Sequence, residues 1–307
     1  FKAIWEGDQL IHLPYQSFEP VIQVFEKAAV DPLVTHIKVI QYRVAKSSRI
    51  LEALMEAVQH GKHVSAFVEI KARFDEATNL EWGERLEKAG VRVHYSLPGV
   101  KVHSKLALVR RVEDGQPRLY AYLGTGNFHE ETAKIYSDFG VFTADPRLTN
   151  EASNVLAHLE NMPPPVPFQH LLVGQFNLRE KLYQLIGNEA AIAKKGKKAE
   201  MILKINSLED KEIIAKLYEA SKAGVKIRLI VRGICCLVPG IKGLSENIEI
   251  VSIVDRYLEH ARVFVFHNGG KELTYLSSAD WMERNLSYRI ETIFPVYDQS
   301  IQRDIRD

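Results

Sequence analysis

The chain matches itself once along its length, and this repetition constrains its fold more than any other feature of its 307 residues. Glu56-Ala57-Val58-Gln59-His60-Gly61, leading into an apolar segment, is matched by Glu219-Ala220-Ser221-Lys222-Ala223-Gly224, leading into Ile227-Arg228-Leu229-Ile230-Val231. Val91-Arg92-Val93-His94-Tyr95 precedes His103 at the same distance as Ile248-Glu249-Ile250-Val251-Ser252 precedes His260. Tyr122-Leu123-Gly124-Thr125-Gly126-Asn127-Phe128 is matched by Tyr275-Leu276-Ser277-Ser278-Ala279-Asp280-Trp281. The three matches keep their order, with an offset that shrinks as loop deletions would make it. Two halves of one design are expected, facing each other across a pseudo-twofold axis.

Within each half, strand-like and helix-like segments alternate. Ile37 to Tyr42 is β-branched and extended in pattern. Ser47 or Ser48 then offers an N-cap to a helix whose apolar positions Ile50, Leu51, Leu54, Met55 and Val58 fall at helical spacing, and Gly61 can close it. Further strands are expected at 64–68, 91–95, 102–109 and 119–123. A helix over 75–89 would be opened by Asp75 and stopped by Gly90. This order predicts an α/β fold with mostly parallel mixed sheets and flanking helices. The proline run Pro163-Pro164-Pro165 marks the linker, dividing the chain into domains at 1–165 and 166–307.

Composition narrows the function. The chain is 46% hydrophobic and 26% charged, the balance of a globular protein with a sizeable core. Its net charge of +1 advertises no nucleic acid, so an anionic partner must be held by local clusters. No apolar run is long enough to span a bilayer. Cys235 and Cys236 are the two cysteines; as sequence neighbours they imply no disulfide framework and a reducing, cytoplasmic setting, and they are expected as small core residues. The start at Phe1 carries neither signal peptide nor initiator methionine, as in a piece of a longer protein.

The chemistry centres on Val102-His103-Ser104-Lys105, followed by Gly124-Thr125-Gly126-Asn127. A histidine and a lysine two apart on a strand share a face. The second half offers His260-Ala261-Arg262 at the matching place. Two imidazoles with fixed cations suit phosphate chemistry, in which one imidazole attacks phosphorus and cations neutralise the phosphoryl oxygens. Arg43 and Arg73 follow predicted strands at the end where α/β sheets bind ligands, Arg232 ends the corresponding strand of the second half, and Arg289 follows its turn. With Lys105 and Arg262 they are candidates to line a basic channel. Lys194-Lys195-Gly196-Lys197-Lys198 reads as a solvated loop joining a helix to a strand. Phe128 and Trp281 correspond in the repeat and are expected to pack behind the turn, while Glu69 or Asp138 could orient an imidazole N–H.

His-x-Lys followed by Gly-x-x-Asn, with a second copy, resembles the phospholipase D superfamily. Tyr42-Arg43-Val44-Ala45, Ala72-Arg73-Phe74-Asp75-Glu76, Lys101 to Lys105, Gly124 to Phe128, Val254 to His260 and Leu276 to Met282 are similar, more narrowly, to signatures of the polyphosphate kinases of the histidine-intermediate type. The resemblance implies two phospholipase D-like α/β domains with the active site at the pseudo-twofold interface. They would correspond to that family's C-terminal catalytic domains, its N-terminal and head domains and its last helices lying outside this chain. It implies reversible transfer of the ATP γ-phosphate to inorganic polyphosphate through a phosphohistidine at His103, with His260 and Lys105 completing the catalytic set. By the same resemblance, Tyr136, Arg232, His260 and Arg289 meet the nucleotide, ATP or ADP. Arg43 and Arg73 line the phosphate and Mg²⁺ position; arginine cannot ligate a cation, so that association is indirect, through Mg²⁺-bound phosphate. A cytoplasmic homo-oligomer, compatible with peripheral association at the inner face of the membrane, completes the expectation.

Three positions depart from the superfamily pattern. Arg110 stands where an aspartate follows His-x-Lys, Arg262 replaces the second lysine, and Asp280 replaces the second asparagine. Unequal histidines speak against the main rival, a phospholipase D-like phosphodiesterase or nuclease with two interchangeable motifs. The intact His103-x-Lys105 speaks against a non-catalytic polyanion-binding module.

Overall fold

The computed structural model describes every residue except 71, 73–75, 96–98 and 163–166. Arg73, Asp75 and the expected proline linker therefore lie outside the described residues. The chain forms two compact units, Phe1–Leu171 and Leu172–Asp307. The division falls at Leu171/Leu172 rather than at 165/166. The buried carboxylate of Glu151, on the helix Pro146–Leu159, accepts the backbone N–H groups of Gln169, His170 and Leu171 at 2.7–3.1 Å and so ties that stretch to the first unit.

In the first unit the strands lie in the order Gln9–Leu13, Tyr136–Thr143, Gln116–Gly124, Lys105–Glu113, Val34–Gln41, His63–Val68, Arg92–Tyr95. In the second the order is Leu172–Val173, Thr292–Val296, Leu273–Ser277, Arg262–Phe266, Glu200–Ile205, Lys226–Val231, Ile248–Val251. Strand for strand, the two sequences of pairings are the same. Both sheets are mixed, as expected, but antiparallel pairs outnumber parallel ones: only the last three strands of each order run parallel. The expectation of mostly parallel sheets fails because parallel pairing is confined to strands joined by long crossover segments, three of them helical and the fourth, over 232–247, without a helix. The later strands are joined by short turns of left-handed backbone instead, Asp114-Gly115 in the first unit (φ 51° and 74°) and Asn268-Gly269-Gly270 in the second.

The crossover helices form where the apolar spacing and caps require them. Ser48 Oγ accepts from Leu51 N at 3.4 Å and opens Arg49–Gln59, which buries Ile50, Leu51, Ala53, Leu54 and Ala57. These pack with Ile37, Val39, Val64, Ala66 and Val68 from the parallel strands. Each fully buried aliphatic side chain of this kind contributes roughly 1.5–3 kcal/mol. In the second unit Asp210 caps Lys211–Lys222 by accepting from Ile213 N at 3.0 Å. Ile213, Leu217 and Ala220 then cover Met201, Leu203, Ile227 and Leu229. In each unit the parallel strands end at one edge of that unit's sheet, where Tyr42 and Arg43 follow in the first and Asn206 and Arg232 in the second.

Cys235 and Cys236 are exposed, which corrects their expected place in the core. After Val231 the backbone leaves the sheet and bridges Leu208, whose N–H donates to Ile234 O while its carbonyl accepts from Cys236 N, each at 2.8 Å. That crossing leaves both thiols outside. The lysines of 194–198 are exposed where the helix Leu178–Lys194 turns into Glu200–Ile205, as read from the sequence. Phe128 and Trp281 are buried behind their turns, Phe128 against Tyr122 and Trp281 against Phe264.

Candidate active site

In the first unit His103 and Ser104 sit in a break between the short strand Lys101–Val102 and Lys105–Glu113. The shared strand expected for His103 and Lys105 is thus interrupted between them. Side chains replace the ladder there: Val102 N donates to Glu69 Oε2 at 2.9 Å, and the Lys105 ammonium donates to the His103 carbonyl. The Tyr42 ring meets the His103 imidazole edge-on, with centroids 4.7 Å apart and planes at 89°. Lys105 Nζ lies 4.9 Å from the same ring and Lys101 Nζ 5.8 Å. His103, Lys105 and Tyr42 are all buried, so the cation acts on the imidazole's surroundings with little screening.

Asn79 holds this arrangement together, and sequence reasoning missed it. Its Nδ2 donates to the carbonyls of Tyr42 and Glu69, both at 2.8 Å, and its Oδ1 accepts from Val44 N at 3.3 Å. The signal was present: Asn79 shares the buried face of Glu76–Lys88 with Trp82, Gly83 and Leu86. A fully buried amide on an apolar helical face must be satisfied by something specific. Here it fixes the segment carrying Tyr42 and the half-buried Arg43.

The turn after the next strand is duplicated down to its hydrogen bonds. Thr125 Oγ1 donates to Asp138 Oδ1 at 2.6 Å and accepts from Phe139 N at 3.0 Å. Ser278 Oγ donates to Glu291 Oε2 at 2.5 Å and accepts from Thr292 N at 3.0 Å. Asp138 and Glu291 thus hold the turns, and both are buried. Asn127 Oδ1, in the first turn, is buried with no hydrogen-bond partner among the described residues. Tyr136, two residues before Asp138, is half-buried. Arg289, two before Glu291, places Nη1 3.9 Å from Glu291 Oε1.

The second unit wires its histidine differently. His260 also sits in a strand break, before Arg262–Phe266. Arg262 donates through Nε and Nη2 to the two oxygens of Asp280, at 3.2 and 2.9 Å. Its Nη1 donates to His260 O at 2.8 Å and lies 3.3 Å from His260 Nε2. Burial pushes the Asp280 carboxyl up, but the Arg262 guanidinium and the Asn206 N–H overcome it and hold its pKa at about 2. This corrects the expectation that Arg262 lines a channel for phosphate: with a side chain only 4% exposed, it is committed to Asp280 and His260. Asn206, also missed, donates through Nδ2 to His260 O at 3.2 Å and accepts from Arg232 Nε at 3.4 Å.

Sheet register aligns the two cradles. Gln41 opposes Val68 in one sheet and Ile205 opposes Val231 in the other. Tyr42 therefore corresponds to Asn206, and Glu69 to Arg232. Together with the repeat pairs Lys105/Arg262 and Asn127/Asp280, four positions around the histidine have changed their chemistry, while the hydroxyl–carboxylate pairs of the turns are kept. The acidic group stands at the strand end in the first unit and in the turn in the second. Among the described residues, no three or more His, Cys, Asp and Glu side chains are grouped to hold a metal ion.

The fold is shared with phosphatidylserine synthase of Haemophilus influenzae, which matches with a TM-score of 0.64 over 98% of this chain and 85% of its own, at 9% identity, a likeness of fold alone. Sequence profiles described as polyphosphate kinase C-terminal domain 1 and domain 2 match residues 1–164 and 171–307. Polyphosphate kinases of Vibrio parahaemolyticus and Escherichia coli are 51% and 47% identical over the whole chain, which spans 44% and 45% of their lengths. The crystal structure of polyphosphate kinase from Porphyromonas gingivalis matches with a TM-score of 0.93 at 47% identity, over all of this chain and 47% of that one. This chain belongs to the polyphosphate kinase family. It spans less than half the length of the curated relatives it matches.

Proposed function

We propose that the protein containing this chain is an ATP:polyphosphate phosphotransferase that works through a phosphohistidine at His103. The supporting observation is the first cradle: a buried imidazole against the Tyr42 ring, with the Lys105 ammonium over that ring and donating to the His103 carbonyl. An imidazole nitrogen attacks the γ-phosphorus of ATP, the bond to the bridging oxygen breaks, and ADP departs with that electron pair. The imidazole sheds its proton as the N–P bond forms. In the second step a terminal oxygen of polyphosphate attacks the same phosphorus, the N–P bond breaks, and the chain is one unit longer. Read backwards, the steps make ATP from ADP.

Lys105 counters charge on the transferring group, and His260, Arg232, Arg289 and Tyr136 serve the nucleotide. Arg43 and Arg73 grip phosphoryl oxygens with two-pronged guanidinium contacts. Mg²⁺ on this reading arrives with the phosphates of its substrate and has no protein ligands. Cytoplasmic location, homo-oligomerisation and any peripheral membrane contact belong to the same proposal; no helix among the described residues is long and apolar enough to cross a membrane.

The test is turnover by the full-length enzyme with ATP and Mg²⁺. Long-chain polyphosphate and ADP should accumulate together, and added ADP with polyphosphate should return ATP. Hydrolysis of a phosphodiester without nucleotide would instead establish the phosphodiesterase reading. Arg43→Lys should cost about a hundredfold in rate, roughly 3 kcal/mol of transition-state binding, because lysine lacks the second prong. Full activity in that variant would remove the bidentate role.

A further inference from the structure

We infer that Asn206 is a positioning residue that sets Arg232 and His260 relative to one another, and that the Asp280–Arg262 ion pair locks it in place. The inference rests on the reading of Arg232 and His260 as residues that serve the nucleotide.

Asn206 is the first residue beyond the Glu200–Ile205 strand and is buried. All of its hydrogen-bonding groups are engaged. Its N–H donates to Asp280 Oδ1 at 2.8 Å, and its carbonyl accepts from Gly233 N at 2.8 Å. Its side-chain oxygen faces the Arg232 Nε–H and its amide nitrogen faces the His260 carbonyl. The amide has one workable orientation, since a flip would set N–H against N–H and oxygen against oxygen. One side chain thereby spans two segments distant in sequence, each carrying a candidate for the nucleotide.

The His260 carbonyl is held twice, by Asn206 Nδ2 and by Arg262 Nη1. Asp280 in turn binds both donors' supports: the Asn206 N–H and the Arg262 guanidinium. Anchoring Arg232 through Nε fixes the plane of its guanidinium, which a two-pronged contact to phosphate requires. The same position in the first unit, Tyr42, also touches its histidine, by a perpendicular ring contact with the imidazole instead of an amide bond to the carbonyl. A position that meets the histidine in both halves by unrelated chemistry is set by the histidine rather than by the local fold.

The experiment measures ADP affinity directly, together with kcat, on the full-length enzyme. Asn206→Ala should weaken ADP binding about tenfold, the loss of one hydrogen bond to a charged group. Arg232→Gln should weaken it at least as much, and the double variant should lose less than the sum of the two single losses, because the two share the Arg232 guanidinium. Asn206→Asp keeps the acceptor for Arg232 but loses the donor to His260, so it should lose less ADP affinity than Asn206→Ala while lowering kcat by a similar factor. Additive losses in the double variant, native affinity in Asn206→Ala, or equal loss of affinity in the Ala and Asp variants would each overturn the inference. If Asn206→Ala does not fold, the Asp variant decides alone by its split between affinity and kcat. Native ADP affinity in Arg232→Gln would instead strike at the proposed nucleotide role of Arg232, leaving a distinguishable failure.

Discussion

Asp280 shows how one residue changes the duty of its neighbours. An asparagine at this place would leave the Arg262 guanidinium without a counter-charge in a buried setting, whereas the aspartate takes two of its donors and two backbone N–H groups. Removing one partner of such a pair strands the other, so Asp280→Ala should destabilise the fold by roughly 3–5 kcal/mol in urea titrations. A loss below about 1 kcal/mol would show that the pair carries no buried charge. The pH dependence follows from the depressed carboxyl, near 2 when folded against an ordinary value of 3.8. A tenfold change in proton affinity is worth about 1.4 kcal/mol, so the depression contributes about 2 kcal/mol. That contribution is complete above the unfolded value and lost as pH falls through the folded one. The stability difference between the native protein and Asp280→Asn should therefore be constant near neutrality and shrink between about pH 4 and pH 2. A difference that instead shrank between about pH 6 and pH 8 would contradict this assignment.

At the scale of elements, the turn from Gly124 to Phe128 depends on the absence of a side chain. A Cβ on Gly126 would lie 2.4 Å from Asp138 Oδ2, a carboxylate already bound to Thr125. Gly126→Ala should cost roughly 1–3 kcal/mol of stability by overpacking. Thr125→Val, which leaves the Asp138 oxygen without that donor, should cost a similar amount. Thermal unfolding of both variants checks this, and unchanged midpoints would show that the turn is not held as described. The helices and strands around this turn were legible in the sequence because their signals are local: the Ser48 cap, the spacing of Ile50, Leu51 and Leu54, the glycine at Gly61 with φ of 75°. The breaks at His103 and His260 were not. They depend on Glu69, Lys105 and Arg262 supplying side-chain partners to the backbone, and those meet only in the folded chain. The exposure of Cys235 and Cys236 was hidden for the same reason, since an isolated bridge to Leu208 sets it. Candidate histidines and cations could be read from the repeat, while Asn79 and Asn206, which hold them, could not.

For the whole molecule, duplication supplies two scaffolds with one strand order and two differently wired histidines. The first cradle keeps its lysine over an aromatic ring and on the histidine's carbonyl; the second commits its cation to an internal aspartate. A symmetric enzyme would have no reason to diverge at Tyr42/Asn206, Glu69/Arg232, Lys105/Arg262 and Asn127/Asp280 together. On the proposed function, that divergence implies one covalent nucleophile, and the proposal at stake is that His103 alone carries the phosphoryl group. The direct measurement is incubation of the full-length enzyme with γ-labelled ATP and Mg²⁺, followed by quantification of protein-bound label that survives base and is released by acid. Such label is expected in the native enzyme and in His260→Ala, and none in His103→Ala. Label persisting at native stoichiometry in His103→Ala would contradict the claim.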